Sequence, residues 1–200
     1  SYISCNYNST VIRTYPKVIN NLLYKQIPAT DVRSKMWVET PTTANSIVPP
    51  GGVRPKFLNQ KFRLPGTPST SAMGDVPYMR AAEMYLIEAE AKLNNGQESA
   101  AHDLLYVLQK NRDVNAVKST NTGTALLNEI LVERRKELYA EIGVEWFDAK
   151  RLRRGITRTG NHRIGSAANL TADDKKFFLK IPQAEIDAND LIDDSVNANR

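Results

Sequence analysis

The chain has 200 residues, 41% of them apolar and 24% charged, with a formal net charge of +5. That balance belongs to a globular chain long enough to bury a proper core, and it excludes disorder throughout. No apolar run approaches the ~18 residues that a membrane-spanning helix needs, and the single cysteine, Cys5, excludes both an intrachain disulfide and a cysteine-based zinc site.

The opening residues, SYISCNYN, have neither the basic segment nor the apolar core of an export signal. They also lack an initiator Met, so the sequence is expected to be a trimmed or mature segment of something longer. Cys5 follows YIS with no apolar stretch before it, and reads as an ordinary thiol rather than a lipid attachment site.

Residues 1–75 are predicted to form a loop-rich lobe. IPATD, ETPTTANSIVPPGGVRP and LPGTPSTSAMGD are dense in turn and breaker residues. Between them, Pro16 to Gln26 suits a short helix opened by Pro16, with Ile19, Leu22 and Leu23 on one side. SKMWVET and KFLNQKFRL read as strands of one hairpin, the second setting Phe57 and Phe62 among polar residues in imperfect alternation.

Residues 76–200 read as helical. Helix one is predicted over 77–94, capped by Asp75, with Ala82, Tyr85, Leu86, Ala89 and Leu93 as its buried stripe and Glu83 and Glu90 outside it. Gly96 suits the left-handed position that stops it. Helix two follows over 98–112 with Ala101, Leu104, Leu105 and Leu108 on one face, and so short a turn requires antiparallel packing. Arg80 to Asp113 spans 34 residues, the period of a tetratricopeptide repeat. Helix three is predicted over 124–141, with Leu127, Ile130, Leu131 and Leu138 as its stripe and dense i,i+4 charge pairing in ERRKELYAE. Helix four, over 145–154, carries Trp146, expected buried, and Phe147, and stops at Gly155. FFLKIP reads as a short buried extended segment, and QAEIDANDLI as a capped turn. The fold class is therefore mostly α: a tetratricopeptide-like helix pair with a loop-rich lobe containing short strands.

Few residues suggest chemistry. A glycosidase needs two carboxylates facing each other across a sugar, but Glu83, Glu141 and Asp148 lie on amphipathic helices among Lys and Arg, where ion pairing is their expected fate. His102 and His162 have no metal-ligand spacing, and no nucleophile–histidine–acid set is recognisable. Gly51-Gly52 lies in a Pro-rich loop without a phosphate-binding pattern. The reading is of a protein that is not an enzyme and needs no cofactor or metal. From Ala149 to Arg163 six basic residues (Lys150, Arg151, Arg153, Arg154, Arg158, Arg163) occur with no acidic one. Such a run either binds phosphates or complements a helix C-terminus; no aromatic residue interleaves with it, so nucleic acid is not expected.

Binding is the other use of side chains. Sugars stack their CH faces on aromatic rings and hydrogen-bond through their edges. Trp37, Tyr24 and Tyr15 lie in or beside the loop-rich lobe. Trp37 stands just before ETPTTANSIVPPGG, whose small polar residues would leave a ring face open and supply neighbours such as Asn45. The alternative for Trp37 is burial between the lobe and helix one.

Four pieces in order, YMRAAEMYLIEAEAKLNNG, ILVERRKELYAE, EWFDAKRLRRG and FFLKIPQAEIDAND, resemble the C-terminal region of the SusD/RagB family from Tyr78 to about Asp190. IPATDVRSKMW is similar to that family's Asp-x-Arg. Two positions depart from the pattern: Glu145 stands where Arg is common, and Asp190 where Pro is usual. The resemblance implies a mostly helical fold supporting an irregular ligand-binding lobe. It implies Arg80, Glu83, Glu133, Arg134, Asp148 and Arg151 as structural motif residues. It also implies a glycan-binding lipoprotein of the outer membrane, exposed at the cell surface, that hands oligosaccharide to a SusC-like TonB-dependent transporter. The lipid anchor would then lie on a missing N-terminal part, with Cys5 not the anchor. A helical protein–protein scaffold, or a peptide-binding uptake component, is the competing reading.

Overall fold

The computed structural model describes residues 16–46, 48, 51–62, 77–141 and 143–198. Expectations placed on Cys5, Tyr15 and Asp75 lie outside these residues. The chain divides into two compact units, Ser1–Val144 and Glu145–Arg200. The division by composition near residue 75 is a different one: residues 16–62 share a compact unit with the first three long helices.

In the first unit, α1 is confined to Asn21–Tyr24, opened by Asn20 rather than Pro16, because the Asn20 carboxamide oxygen accepts the Leu22 N–H at 2.9 Å. Ile19 and Leu23 are buried, whereas Leu22 is 45% exposed. Asp31 caps a 3-10 turn over Val32–Met36 in the same way. Two short antiparallel strands follow, β1 (Trp37–Val38) and β2 (Leu58–Asn59), in register Trp37 to Asn59 and Val38 to Leu58. Val18 bridges the other side of Leu58. These strands are far shorter than predicted. The 3-10 turn consumes the start of one, and Phe57, at φ 62°, bends the other out of the extended region.

Three long helices form the body of this unit. The first, α2 (Ala81–Asn94), begins four residues later than predicted, with Arg80 extended at its N-cap. Its buried positions are Ala82, Leu86, Ala89 and Glu90, while Tyr85 is 41% exposed. Tyr85 and Glu90 flank the apolar stripe on opposite sides, and the packing covers the Glu90 flank. Gly96, at φ 73°, stops the helix: its N–H meets Leu93 O at 3.0 Å, and the Gln97 N–H meets Lys92 O at 2.8 Å. That pair of bonds is the Schellman closure that favours glycine. The second, α3 (Glu98–Arg112), has the predicted limits. The third, α4 (Gly123–Glu137), stops four residues early, and Ala140 beyond it takes the left-handed φ of 60°. Ala82, Leu86 and Ala89 pack with Ala101, Leu105 and Leu108 of α3 and with Leu126 and Ile130 of α4 in one core. The small alanines let the helix axes approach. A separate core in the lobe gathers Ile19, Leu23, Ile27, Trp37 and Phe57, with Val132 and Tyr139 packed against it.

In the second unit, α5 (Val144–Arg151) ends three residues before the predicted limit, where Arg153 turns to φ 49° and the Arg154 N–H closes onto Ala149 O at 2.8 Å. Trp146 packs on Phe177, ring centroids 4.8 Å apart, beside Ala149, Leu170 and Ile156. Ile156 and Leu170 form an antiparallel bridge. FFLKIP is not a buried extended segment. Lys175–Phe177 is a 3-10 turn, and only Phe177 points inward, leaving Phe178 49% and Leu179 89% exposed. Part of the predicted turn after Pro182 is helical, as α6 (Gln183–Ala188).

Candidate functional site: the lobe and the charge network beneath it

Trp37 is 3% exposed, its ring edge-on to Tyr139 with centroids 5.5 Å apart. Of the two readings the sequence left open, burial is the one found, because the 3-10 turn and β1 aim this side chain into the lobe's own core. Its indole N–H is buried with no hydrogen-bond partner among the described residues. Asn45 is exposed but spends its carboxamide on its own loop. The oxygen accepts the Thr42 N–H at 2.6 Å, and the nitrogen donates to Thr40 O at 3.2 Å. Tyr24 is half-buried, ring edge to Phe57 at 5.4 Å. Of the three, Tyr24 alone keeps part of its ring at the surface.

Beneath the lobe lies a feature that the sequence did not disclose as a unit. Glu133, Glu137 and the later Glu141 are 2%, 3% and 5% exposed, although i,i+4 spacing alone would place them on a wet helix face. Their cations come from other elements. Arg33 sets Nη2 2.6 Å from Glu133 Oε1 and Nη1 3.0 Å from Glu137 Oε2, while Asp31 accepts from its Nη2 at 2.7 Å. Arg112, from the last turn of α3, donates Nη2 to Glu137 Oε1 at 2.8 Å. Arg80 donates Nη1 to the same oxygen at 2.7 Å and Nε to Glu141 Oε2 at 2.9 Å.

Lys61 completes the arrangement at the end of α4. Its ammonium donates to Glu137 O at 2.7 Å, to Tyr139 O at 3.0 Å and to the Glu141 carboxylate. The last carbonyls of a helix lack intrahelical donors, and a cation there also meets the negative end of the helix dipole. The Tyr139 hydroxyl in turn donates to Val18 O at 2.6 Å, and the Thr30 hydroxyl to Asp113 at 2.9 Å. The loop-rich segment is thus fixed to the helices by directional contacts at four places.

Burial by itself would raise the pKa of Glu137, but hydrogen bonds from Arg112 and Arg80 and the charge of Arg33 outweigh it and hold the carboxyl at about 2. Burial works against the Arg33 guanidinium too, and there Asp31 and Glu133 prevail and raise it above its usual range. For Lys61 desolvation wins, and the ammonium is held below its ordinary value despite Glu141. Glu137 and Arg33 are both charged at neutral pH.

The family-motif residues lie on this scaffold. Arg80 and Glu133 belong to the network. Arg134 reaches Glu83 of α2 at 3.8 Å, and Arg151 meets Asp148 one turn earlier at 2.8 Å. In the sequence Asp31-x-Arg33 showed only as a resemblance, Arg112 only as the last residue of helix two, and Lys61 gave no signal. Among the described residues, no group of three His, Cys, Asp or Glu is placed to hold a metal ion. None of the described helices is long and apolar enough to cross a membrane. A cleft of about 470 Å³ opens between Leu93, Gly96, Gly123 and Leu127. The free N–H of Gly123 there is already met by Glu98 at 2.5 Å.

Fold and network together define a helical scaffold that carries an irregular lobe on buried ion pairs. The chain belongs to the SusD family, whose sequence pattern matches residues 24–197. Its fold is similar to the crystal structure of a SusD-like carbohydrate binding protein from Bacteroides vulgatus, with a TM-score of 0.73 at 22% identity. The match covers 94% of this chain and 44% of that one, so the chain spans less than half the length of that relative. No curated protein matches the sequence.

Proposed function

We propose that this chain is part of a glycan-binding protein at the surface of the outer membrane, which passes oligosaccharide to a SusC-like TonB-dependent transporter. Membership of the SusD family over residues 24–197 carries this reading. The role is binding and release without a covalent step. The membrane is met only through a lipid anchor on a part outside these 200 residues. Tyr24 is the contact we place first, as an edge against which a sugar ring can pack. Trp37 acts behind it, as the core that holds the lobe in shape, and Asn45 acts by fixing the loop after β1.

A second reading, a helical interaction scaffold or a peptide-binding component, is favoured by one observation: Trp37 and Asn45 are both committed to internal contacts. Affinity electrophoresis of the full-length protein through gels containing a panel of polysaccharides separates the two. Retardation by at least one polysaccharide, reduced by Tyr24→Ala in protein that circular dichroism shows to be folded at the temperature of the gel, is the expected result. Mobility unaffected by every saccharide, with a peptide ligand captured instead, would overturn it.

A further inference from the structure

We propose that the surface around Phe147 and Phe178, within the unit 145–200, is a subsite for an acidic saccharide; this rests on the glycan-binding reading above. Phe147 is 57% exposed and Phe178 49% exposed. Lys150 lies three residues after Phe147 on α5, hence on the same helix face, and its ammonium stands 4.7 Å over the Phe178 ring. Two partly exposed aromatic rings therefore neighbour one cation, which lies over one face of Phe178 and leaves the other ring, Phe147, without it.

Arg151 and Arg153 are matched by Asp148 and Asp173. Lys150, Lys176 and Lys180 are exposed, and none of them meets a carboxylate among the described residues. Lys150 brings its positive charge to the Phe178 ring, and Lys176 and Lys180 each stand two positions from Phe178 in sequence.

This combination fits one ligand chemistry. A pyranose offers a CH face to an aromatic ring, and its carboxylate or sulfate meets an ammonium in a charge-assisted hydrogen bond. A neutral sugar uses only the first of these. An anionic bilayer fits less well, since it takes a long amphipathic helix with a continuous apolar face, and α5 is eight residues long with Glu145 and Asp148 in it.

The test uses the full-length protein in titration calorimetry with an oligogalacturonate, a chondroitin sulfate oligosaccharide, their uncharged counterparts and a panel of neutral oligosaccharides. Vesicles of phosphatidylglycerol form a separate arm. At least one acidic probe should bind more tightly than its uncharged counterpart, and the difference should shrink at high salt. Lys150→Gln should weaken that binding about tenfold, the size of one charge-assisted hydrogen bond, and Phe147→Ser should weaken it with the melting temperature unchanged. Binding of neutral sugars alone, or acidic binding indifferent to both substitutions, overturns the subsite and leaves the glycan reading standing. If no saccharide binds, both fall. Retention on anionic vesicles without saccharide binding overturns the subsite in favour of a lipid surface.

Discussion

Arg33 and Glu137 stand 104 positions apart in sequence and 3.0 Å apart in space, each side chain 3% exposed. An ion pair so deeply buried is a poor source of net stability, because two charges have been taken out of water to make it. Breaking it is another matter. Arg33→Ala takes the guanidinium from the Asp31 and Glu133 carboxylates and leaves Glu137 to Arg80 and Arg112, and should cost about 3–5 kcal/mol in urea unfolding. A loss below about 1 kcal/mol would mean that the lobe is held by its apolar core alone.

Acid should loosen the same junction. Glu137 is held at about 2, below its ordinary value of 4.5. A depressed carboxyl pKa contributes stability that is complete above the unfolded value and declines as the pH falls through 4.5 toward 2. The whole shift corresponds to a contribution on the order of 3 kcal/mol. Glu137→Gln should flatten the pH dependence of stability across that window. An equally steep acid limb in the variant would assign it to other carboxyls.

Lys61 plugs a ring of oxygens from Glu137, Tyr139 and Glu141. Lys61→Ala should destabilise by about 1–3 kcal/mol, since the Tyr139 carbonyl loses this donor while the Glu141 carboxylate and the Glu137 carbonyl are left to Arg80 alone. Ammonium chloride should restore part of the loss relative to sodium chloride at the same ionic strength. No difference between the two salts would show that the carbonyls find other donors.

Gly155 is needed for space. A Cβ there would stand 2.4 Å from Leu170 O, against the backbone that completes the Ile156–Leu170 bridge. Gly155→Ala should destabilise by about 1–3 kcal/mol, as overpacking does, and should speed amide exchange at Ile156 and Leu170. Unaltered exchange at both would show that the bridge can open without loss.

Tryptophan fluorescence checks the lobe. In a Trp146→Phe background, Trp37 should emit in the blue and resist iodide, as a ring 3% exposed must. Ready quenching would place it at the surface.

The helices were legible where local rules decide them. Gly96 and the stripe of Ala101, Leu105 and Leu108 specify α3 to the residue, since a Schellman stop and a 3.6-residue period are both written within a few positions. The end of α4 was not legible. Leu138 continues the apolar pattern, and only the approach of Lys61 and the left-handed turn at Ala140 show why the helix ends at Glu137. The strands failed for a related reason. Phe57 has every β-favouring attribute, yet long-range bonds to Glu39 and Ile19 hold it left-handed. The sequence left Trp37 between an open ring and a buried one, because the polar loop following it says nothing about which way the preceding side chain turns. The network's acids were visible as charges, but their partners lie up to 104 residues away, beyond any local period.

The convergence of Arg33, Arg80 and Arg112 on Glu137 also constrains how this sequence can drift. A neutral residue at position 137 would leave three guanidinium groups facing one another in a poorly hydrated space, so that change is tolerated only after some of the arginines have gone. Removing one arginine first leaves the carboxylate two donors and a shallower penalty. The order of substitution therefore matters: the four positions should vary as a set, with the basic members changing before the acidic one. Energies measured at them singly will not add to the energy of the set.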